Sequence, residues 1–319
     1  MRLKTKGLVL AATLLLVTLA LPSAASAASF LGFGTGSPGG VYFPLGGAMA
    51  DLWNRYLPDV NVTAESTAAS VENSRLVGNG DADLGMVLGS VAYRAYKGEE
   101  PFEKPLPLRA LFQMYPAPEH IVTLKGTGIT SARDLAGRRV STEAPGSGAE
   151  TIALMILKAY GIDPDSGMRR ARLSQTESTG ALRDGVIDAA FFNFAYPASA
   201  VTELATTRDV ELVSLEPDML EKLLEVNPFM VPVTVPAGTY TGVDHDTLAL
   251  GDSNLVVVNA DMPEELAYQL VKTLYEHASE LFDVHPVAHQ LVPENGVNTP
   301  IPLHPGAERF FREVGALHD

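Results

Sequence analysis

Four times along the chain, a short β-rich run opens into a loop of small residues and then into a helical pattern. The junctions are "GSPGGVYF" at 36–43, "STAASVEN" at 66–73, "EAPGSGAET" at 143–151 and "NFAYPASA" at 193–200. Strands alternating with helices constrain the fold to an α/β class with largely parallel sheets, because a parallel neighbour is reached only through a crossover. In such sheets ligands sit beyond the carboxyl ends of the strands. Each helix start there offers N–H groups without intrahelical partners and a positive dipole end, which suits a carboxylate or phosphate. One such junction reads as an ordinary cap; four, two in each half, point to a bound anion. The first is the densest. "GTGSPGGVYFPLGGAMADLW" holds six glycines and two prolines, and glycine lets a main chain come close to something.

The helix after that loop puts Val41, Leu45, Met49 and Leu52 on one face. "VNVTAEST" alternates as a strand and "ADLGMVLGS" reads as a buried one. "LRALFQMYPAPEHIVTL" reads as two strands broken by "YPAP". "NLVVVNA" is a late strand, and "PEELAYQLVKTLYEHASELF" is a long amphipathic helix. An internal echo stands out. "LVGNGDADLGMV" and "LRDGVIDAAFF" each place a glycine, Gly80 or Gly185, three residues before an aspartate, Asp83 or Asp188, with a strand following. A repeated helix–turn–strand unit implies two similar lobes. "QMYPAPEH" and "VPVTVPAGTYTG" are the expected crossings between them. That gives lobe I as 28–117 plus 238–319, lobe II as 118–237, and a hinged cleft between.

The bulk properties fit. A chain of 319 residues with 46% hydrophobic and 19% charged residues is long enough for two such lobes and can bury a core. Residues 1–27 read as a signal peptide: basic "MRLKTK", the apolar run "GLVLAATLLLVTLAL", then "PSAASA" with Ala25 and Ala27 in an A-x-A cleavage pattern. The run is short for a membrane span. The expected product is a soluble periplasmic protein, a monomer, with no membrane insertion after processing. Formal net charge is −15, and loss of Arg2, Lys4 and Lys6 with the signal peptide makes it more negative. A field of that sign excludes nucleic acid as a partner. The chain has no cysteine, which removes disulfides, thiol catalysis and thiolate metal sites.

Catalytic patterns are missing. "GTGSPGG" is not G-x-G-x-x-G, "APGSGAET" lacks the lysine of a P-loop, and neither G-x-S-x-G nor H-E-x-x-H occurs. His285 and His289 flank Pro286 in a poor ligand geometry and read as packing or surface residues. The expectation is no enzyme, no catalytic residue, no metal and no cofactor. Glu65 and Glu143 lie near the junctions, where a carboxylate would hold a ligand ammonium or simply be solvated. Glu150 suits the first turn of a helix. Tyr42, Phe43 and Tyr196 suit either a ligand's carbon chain or packing between lobes.

"GTGSPGGVYFPLGGAMADL", "VTAESTAASVENSRLVGNGDADLGMVLGSVAYRAY", "DLAGRRVSTEAPGSGAETIA" and "ALRDGVIDAAFFNFAYPASAV" resemble the TAXI family, the extracytoplasmic solute receptors of a class of TRAP transporters. The resemblance runs to about residue 235 and weakens beyond. It implies a two-lobed periplasmic binding protein of the type II kind, with two Rossmann-like lobes joined by crossing strands. Such a protein closes on a small carboxylate, glutamate or 2-oxoglutarate in characterised relatives, and delivers it to a TRAP membrane permease. Relatives' pockets use main-chain and hydroxyl donors and lack a dominant arginine. Carried over by motif, the ligand contacts are Gly40, Val41 and Tyr42; Ser70 and Val71; Gly89 and Ser90; Ser147, Gly148 and Ala149; and Tyr196 with Pro197. Relatives commonly carry Thr at Ala149, an acid at Ser90 and Gly at Ala195; these departures fall in the pocket and bear on which solute is bound more than on fold or role. The alternatives are an ABC-type substrate-binding protein and a secreted α/β enzyme such as a hydrolase.

Overall fold

Ten strands form one mixed sheet in the computed structural model, which describes residues 29–227 and 229–318. The expected signal peptide lies outside those residues. The strands are β1 (Ser29–Gly34), β2 (Val60–Glu65), β3 (Leu84–Leu88), β4 (Leu108–Leu124), β5 (Arg139–Ser141), β6 (Arg169–Ala171), β7 (Ala189–Asn193), β8 (Val210–Leu212), β9 (Val231–Val235) and β10 (Thr247–Asn259). Their order is β2-β1-β3-β10-β4-β7-β5-β6, with β8 on β4 and β9 on β10. The helices are α1 (Tyr42–Tyr56), α2 (Ser70–Asn79), α3 (Gly89–Lys97), α4 (Gly148–Ala159), α5 (Gln175–Arg183), α6 (Ser199–Ala205), α7 (Pro217–Val226), α8 (Glu264–Glu276), α9 (Pro293–Gly296) and α10 (Pro305–Glu313). None of the described helices is long and apolar enough to cross a membrane.

The expected α/β class is what the chain adopts, and the two halves are built alike. In the first, β2-β1-β3 run parallel and meet antiparallel β10. In the second, β6-β5-β7 run parallel and meet antiparallel β4. Helices cover the strands with their apolar faces. α1 buries Leu45, Met49, Leu52 and Trp53, and the Trp53 indole N–H donates to the Leu270 carbonyl, tying α1 to α8.

The Gly-x-x-Asp echo has a shared job. Gly80 and Gly185 take φ of +80° and +69°, the left-handed conformation that ends a helix without a Cβ penalty. Three residues on, Asp83 Oδ2 accepts from Gly32 N–H (2.8 Å) while Asp83 N–H donates to Gly32 C=O (3.0 Å). Asp188 repeats this with Arg139, through Oδ2 (2.9 Å) and its own N–H (2.7 Å). Each aspartate thus pins the first strand of its half at the same register.

Two sequence expectations change. "LRALFQMYPAPEHIVTL" is one 17-residue strand, β4, not two. Pro116 and Pro118 fall where β4 pairs with β10 on one side and has not yet met β7, whose pairing begins at Glu119. There a missing N–H removes no bond to β7. The return crossing is β10, over Thr247–Asn259, and not "VPVTVPAGTYTG", whose strand β9 lies on the outer part of β10.

Asp83→Ala leaves the Gly32 N–H without its acceptor and should cost about 1–3 kcal/mol in urea denaturation. Asp83→Asn, which keeps an acceptor, should cost less. Equal stability of the alanine variant and the parent would show that the aspartate pins nothing.

Candidate functional site

The carboxyl ends of the parallel strands from both halves face one cleft at the β4·β10 crossing. Its cavity holds about 590 Å³ with its mouth included. From the first half come Gly40, Val41 and Tyr42 at the start of α1, and Thr67, Ala69 and Ser70 before α2. From the second half come Glu143, Ser147, Gly148 and Ala149 around the start of α4, Ser174 and Gln175 at the start of α5, and Asn193 and Phe194 at the end of β7. Tyr115, from β4, adds to the lining.

Helix geometry supplies the donors. The first N–H groups of α1 and α4 lack partners in their own helices and belong to residues that line the cavity. Ser147 caps α4: its Oγ accepts from Glu150 N–H at 3.0 Å. The loop before it is braced from behind. Glu150 accepts from Arg170 (2.7 Å), Arg172 (2.6 Å) and Gly146 N–H (3.2 Å). On the other side, buried Asn73 donates to the carbonyls of Gly34, Thr35 and Met86 and accepts from Thr67. It thereby fixes the ends of β1 and β3 to the loop before α2.

The glycines of the opening motif serve close approach between halves. A Cβ on Gly40 would lie 2.2 Å from Gln175 Oε1, and one on Gly39 would lie 2.8 Å from Thr176 Oγ1. Gly148 shows the same from the other side, 2.5 Å from Leu88 Cδ1 and 2.6 Å from Ser70 Oγ. The halves also share main-chain bonds: Val71 and Glu72 N–H both donate to the Gly146 carbonyl, at 3.1 and 3.3 Å. Two non-glycine residues take left-handed φ at this meeting place, Ala69 at +70° and Glu143 at +73°. Such backbone costs of order 1–3 kcal/mol each and is found mostly where a site dictates it.

The electrostatics are one-sided. Among the described residues, no Lys, Arg or His lines the cavity. Glu143 is 4% exposed, and burial pushes its carboxyl up to about 7, against partial offsets from Ser147 and the Ala144 N–H. Beneath the floor, Asp252 accepts from Ser90 N–H with both oxygens (3.2 Å each), and burial still raises it to about 6. The Tyr42 hydroxyl donates to Asn254 Oδ1 at 2.5 Å, and burial pushes its proton affinity well up.

Of the residues expected at the ligand, the cavity gathers Gly40, Val41, Tyr42, Ser70, Ser147, Gly148, Ala149 and Glu143. Val71 is not among them, because its N–H is spent on Gly146. Gly89 and Ser90 pack against β10 instead: a Cβ on Gly89 would lie 2.0 Å from Ser253 Oγ, and Ser90 N–H is held by Asp252. Tyr196 donates to the Thr234 carbonyl, and the Pro197 carbonyl bonds His285 Nε2 at 3.1 Å, so both close a neighbouring contact and do not line the cavity. Glu65 is exposed and meets the site only through its carbonyl, which Thr35 holds. A fifth junction, Ser174–Gln175, lines the cavity and was missed. Its signal is in the sequence as "SQTE", a capping box in which Ser174 and Glu177 satisfy each other's N–H groups.

A family model described as the NMT1-like family matches residues 33–315. The chain belongs to that family. Solved structures of similar fold include PhnD1 from Prochlorococcus marinus MIT 9301 in complex with methylphosphonate, at 13% identity and TM-score 0.54, over 90% of this chain and 99% of that one. The alkanesulfonate-binding protein SsuA from Xanthomonas axonopodis pv. citri, bound to MOPS, is similar at 15% identity and TM-score 0.51, over 90% and 85%. The fold of this NMT1-like chain is thus that of two-lobed binding proteins.

Gly148→Ala should hold the halves apart, although alanine suits a helix better than glycine. Small-angle scattering should show a larger radius of gyration than the parent has. An unchanged radius would mean that the Gly148 approach is not needed. Glu143 and Asp252 have carboxyls raised on folding, so the folded protein keeps protons that the unfolded chain has released, and stability falls as pH rises through that window. The melting temperature should drop from pH 5 to pH 8, and Glu143→Gln should flatten the upper part of the drop. A rising curve in the parent would contradict the burial of Glu143.

Proposed function

We propose that the chain is an extracytoplasmic solute receptor that binds a small carboxylate-bearing solute between two lobes and hands it to a membrane importer. One observation carries this reading: helix starts from opposite halves of the sheet meet at a single cavity, with glycines where they approach. A carboxylate would lie at the starts of α4 and α1. Each hydrogen bond to a charged group contributes about 1.5–3 kcal/mol. A handful of them, less the cost of ordering, reaches micromolar affinity, about −8 kcal/mol. A solute touching both halves stabilises the closed arrangement, which the importer then recognises. The lobes are taken as 28–117 plus 238–319 and 118–237, with the return boundary shifted into β10 (Thr247–Asn259), the strand that crosses back. On this reading, and with the expected signal peptide, the protein is a soluble periplasmic monomer without catalytic activity.

The delivery step has two readings. The spaced motifs resemble TAXI receptors, which serve an ion-driven TRAP permease. An ABC-type importer is the alternative, and the NMT1-like family match and the fold likeness to SsuA and PhnD1 support it better. Uptake reconstituted with a candidate permease of each kind separates them: dependence on an ion gradient favours TRAP, dependence on ATP favours ABC.

Native mass spectrometry of the purified mature protein should show a bound small molecule. Calorimetry against dicarboxylates and amino acids should then give at least one micromolar binder, with a smaller radius of gyration on binding. No bound molecule and no heat from any compound, or turnover of one, would remove the receptor reading.

A further inference from the structure

The place proposed above for a solute carboxylate already holds an acid. Glu143 lines the cavity and is buried. Its Oε2 accepts from the Ala144 N–H at 2.7 Å, and the hydroxyl of Ser147, the cap of α4, also bonds its carboxyl. The carboxyl thus stands at the N-terminal end of α4. Two carboxylates brought to one helix start repel, and the pair persists only if a cation or a proton joins it. Among the described residues, the lining offers no cation. Of the charged groups that face Glu143 from the surrounding elements, Glu150 on α4 and Glu119 on β4 are acids. Arg170 and Arg172, which hold Glu150, line no part of the cavity. The main chain at Gln175, at the start of α5, contributes a hydrogen bond without net charge. Burial pushes the Glu143 carboxyl up to about 7, and a solute carboxylate beside it pushes further the same way. A proton is therefore the group that joins the pair.

We propose that an acidic solute binds here together with a proton taken from solvent, held as an O–H donor between Glu143 and the solute carboxylate. This rests on the receptor reading above and adds a second ligand to the site, the proton. Glu143 then acts as a neutral hydrogen-bond donor and needs no ammonium on the solute. The proton belongs to the pair, since two acids coupled this closely titrate together. The pair holds it more tightly than Glu143 does by itself, so uptake on binding appears above about pH 7. In that window the affinity for the solute falls as pH rises, by up to about tenfold per pH unit for one coupled proton.

The test is calorimetry on the purified mature protein with succinate, glutarate and L-glutamate, at pH 7.5 in imidazole and in Tris. These cationic buffers bring no competing anion, and their different heats of ionisation turn proton uptake into a difference in binding heat. The acid that binds should take up roughly half a proton or more per solute, and its dissociation constant should rise at least about fivefold from pH 7 to pH 8.5. Glu143→Gln keeps the size and a donor, so it should bind without proton uptake and with a flat pH profile, while the melting temperature confirms a folded protein. Binding with equal heat in both buffers, or with proton release, overturns the proposal and leaves the receptor reading standing; release is the signature of a solute ammonium on an ionised Glu143. Uptake that survives in the folded Glu143→Gln protein moves the proton to another buried acid, such as Asp252, and overturns the assignment. If no acid of the panel binds, the receptor reading falls and this proposal with it. The proton count on the parent needs no variant, so poor folding of Glu143→Gln does not shield the proposal.

Discussion

Everything in this molecule hangs on the pairing of β4 with β10. Residues 108–118 of the one lie against 251–259 of the other, and each strand also serves as the outer neighbour of a parallel set. The ladder shifts register between Asn254 and Leu255 and again between Val256 and Val257. Such irregularities strengthen local twist and bend a strand. They sit where the two halves are joined, so the carboxyl ends of the strands in both halves are turned toward one cleft. The site is a product of that crossing. Tyr115, Glu119, Asp252 and Asn254 all come from its two strands; Tyr115 lines the cavity, and Asn254 accepts from the hydroxyl of Tyr42, which lines it too.

Much of the architecture could be read in the residues. Strand and helix alternation announced the α/β class, and the spacing from Gly80 to Asp83 and from Gly185 to Asp188 announced a repeated unit. The structure gives that spacing its physical meaning: a left-handed glycine ends the helix, and the aspartate pins the first strand from both its carboxyl and its amide. Local chemistry of this kind is legible because it acts within a few residues or at a fixed register.

What was hidden depended on distance in sequence. Ser90 looked like a ligand contact by its motif, but Asp252, far along the chain, takes its N–H. Val71 opens a helix and should have had a free donor, yet Gly146 from the opposite half receives it. Glu119 carried no local signal at all, because its burial follows from the crossing strands on either side. The prolines of "YPAP" misled for a related reason. A proline breaks a strand by its lost donor, and here the side toward β7 is not yet paired.

The bonds from Val71 and Glu72 N–H to the Gly146 carbonyl use main-chain atoms alone. Apart from proline at either donor, no amino-acid exchange deletes one of their partners. Side chains of the cavity lining such as Thr67, Ser174 and Asn193 can be exchanged without touching those bonds. Selection on this scaffold can therefore retune which cargo is accepted while leaving intact the contact by which its jaws meet.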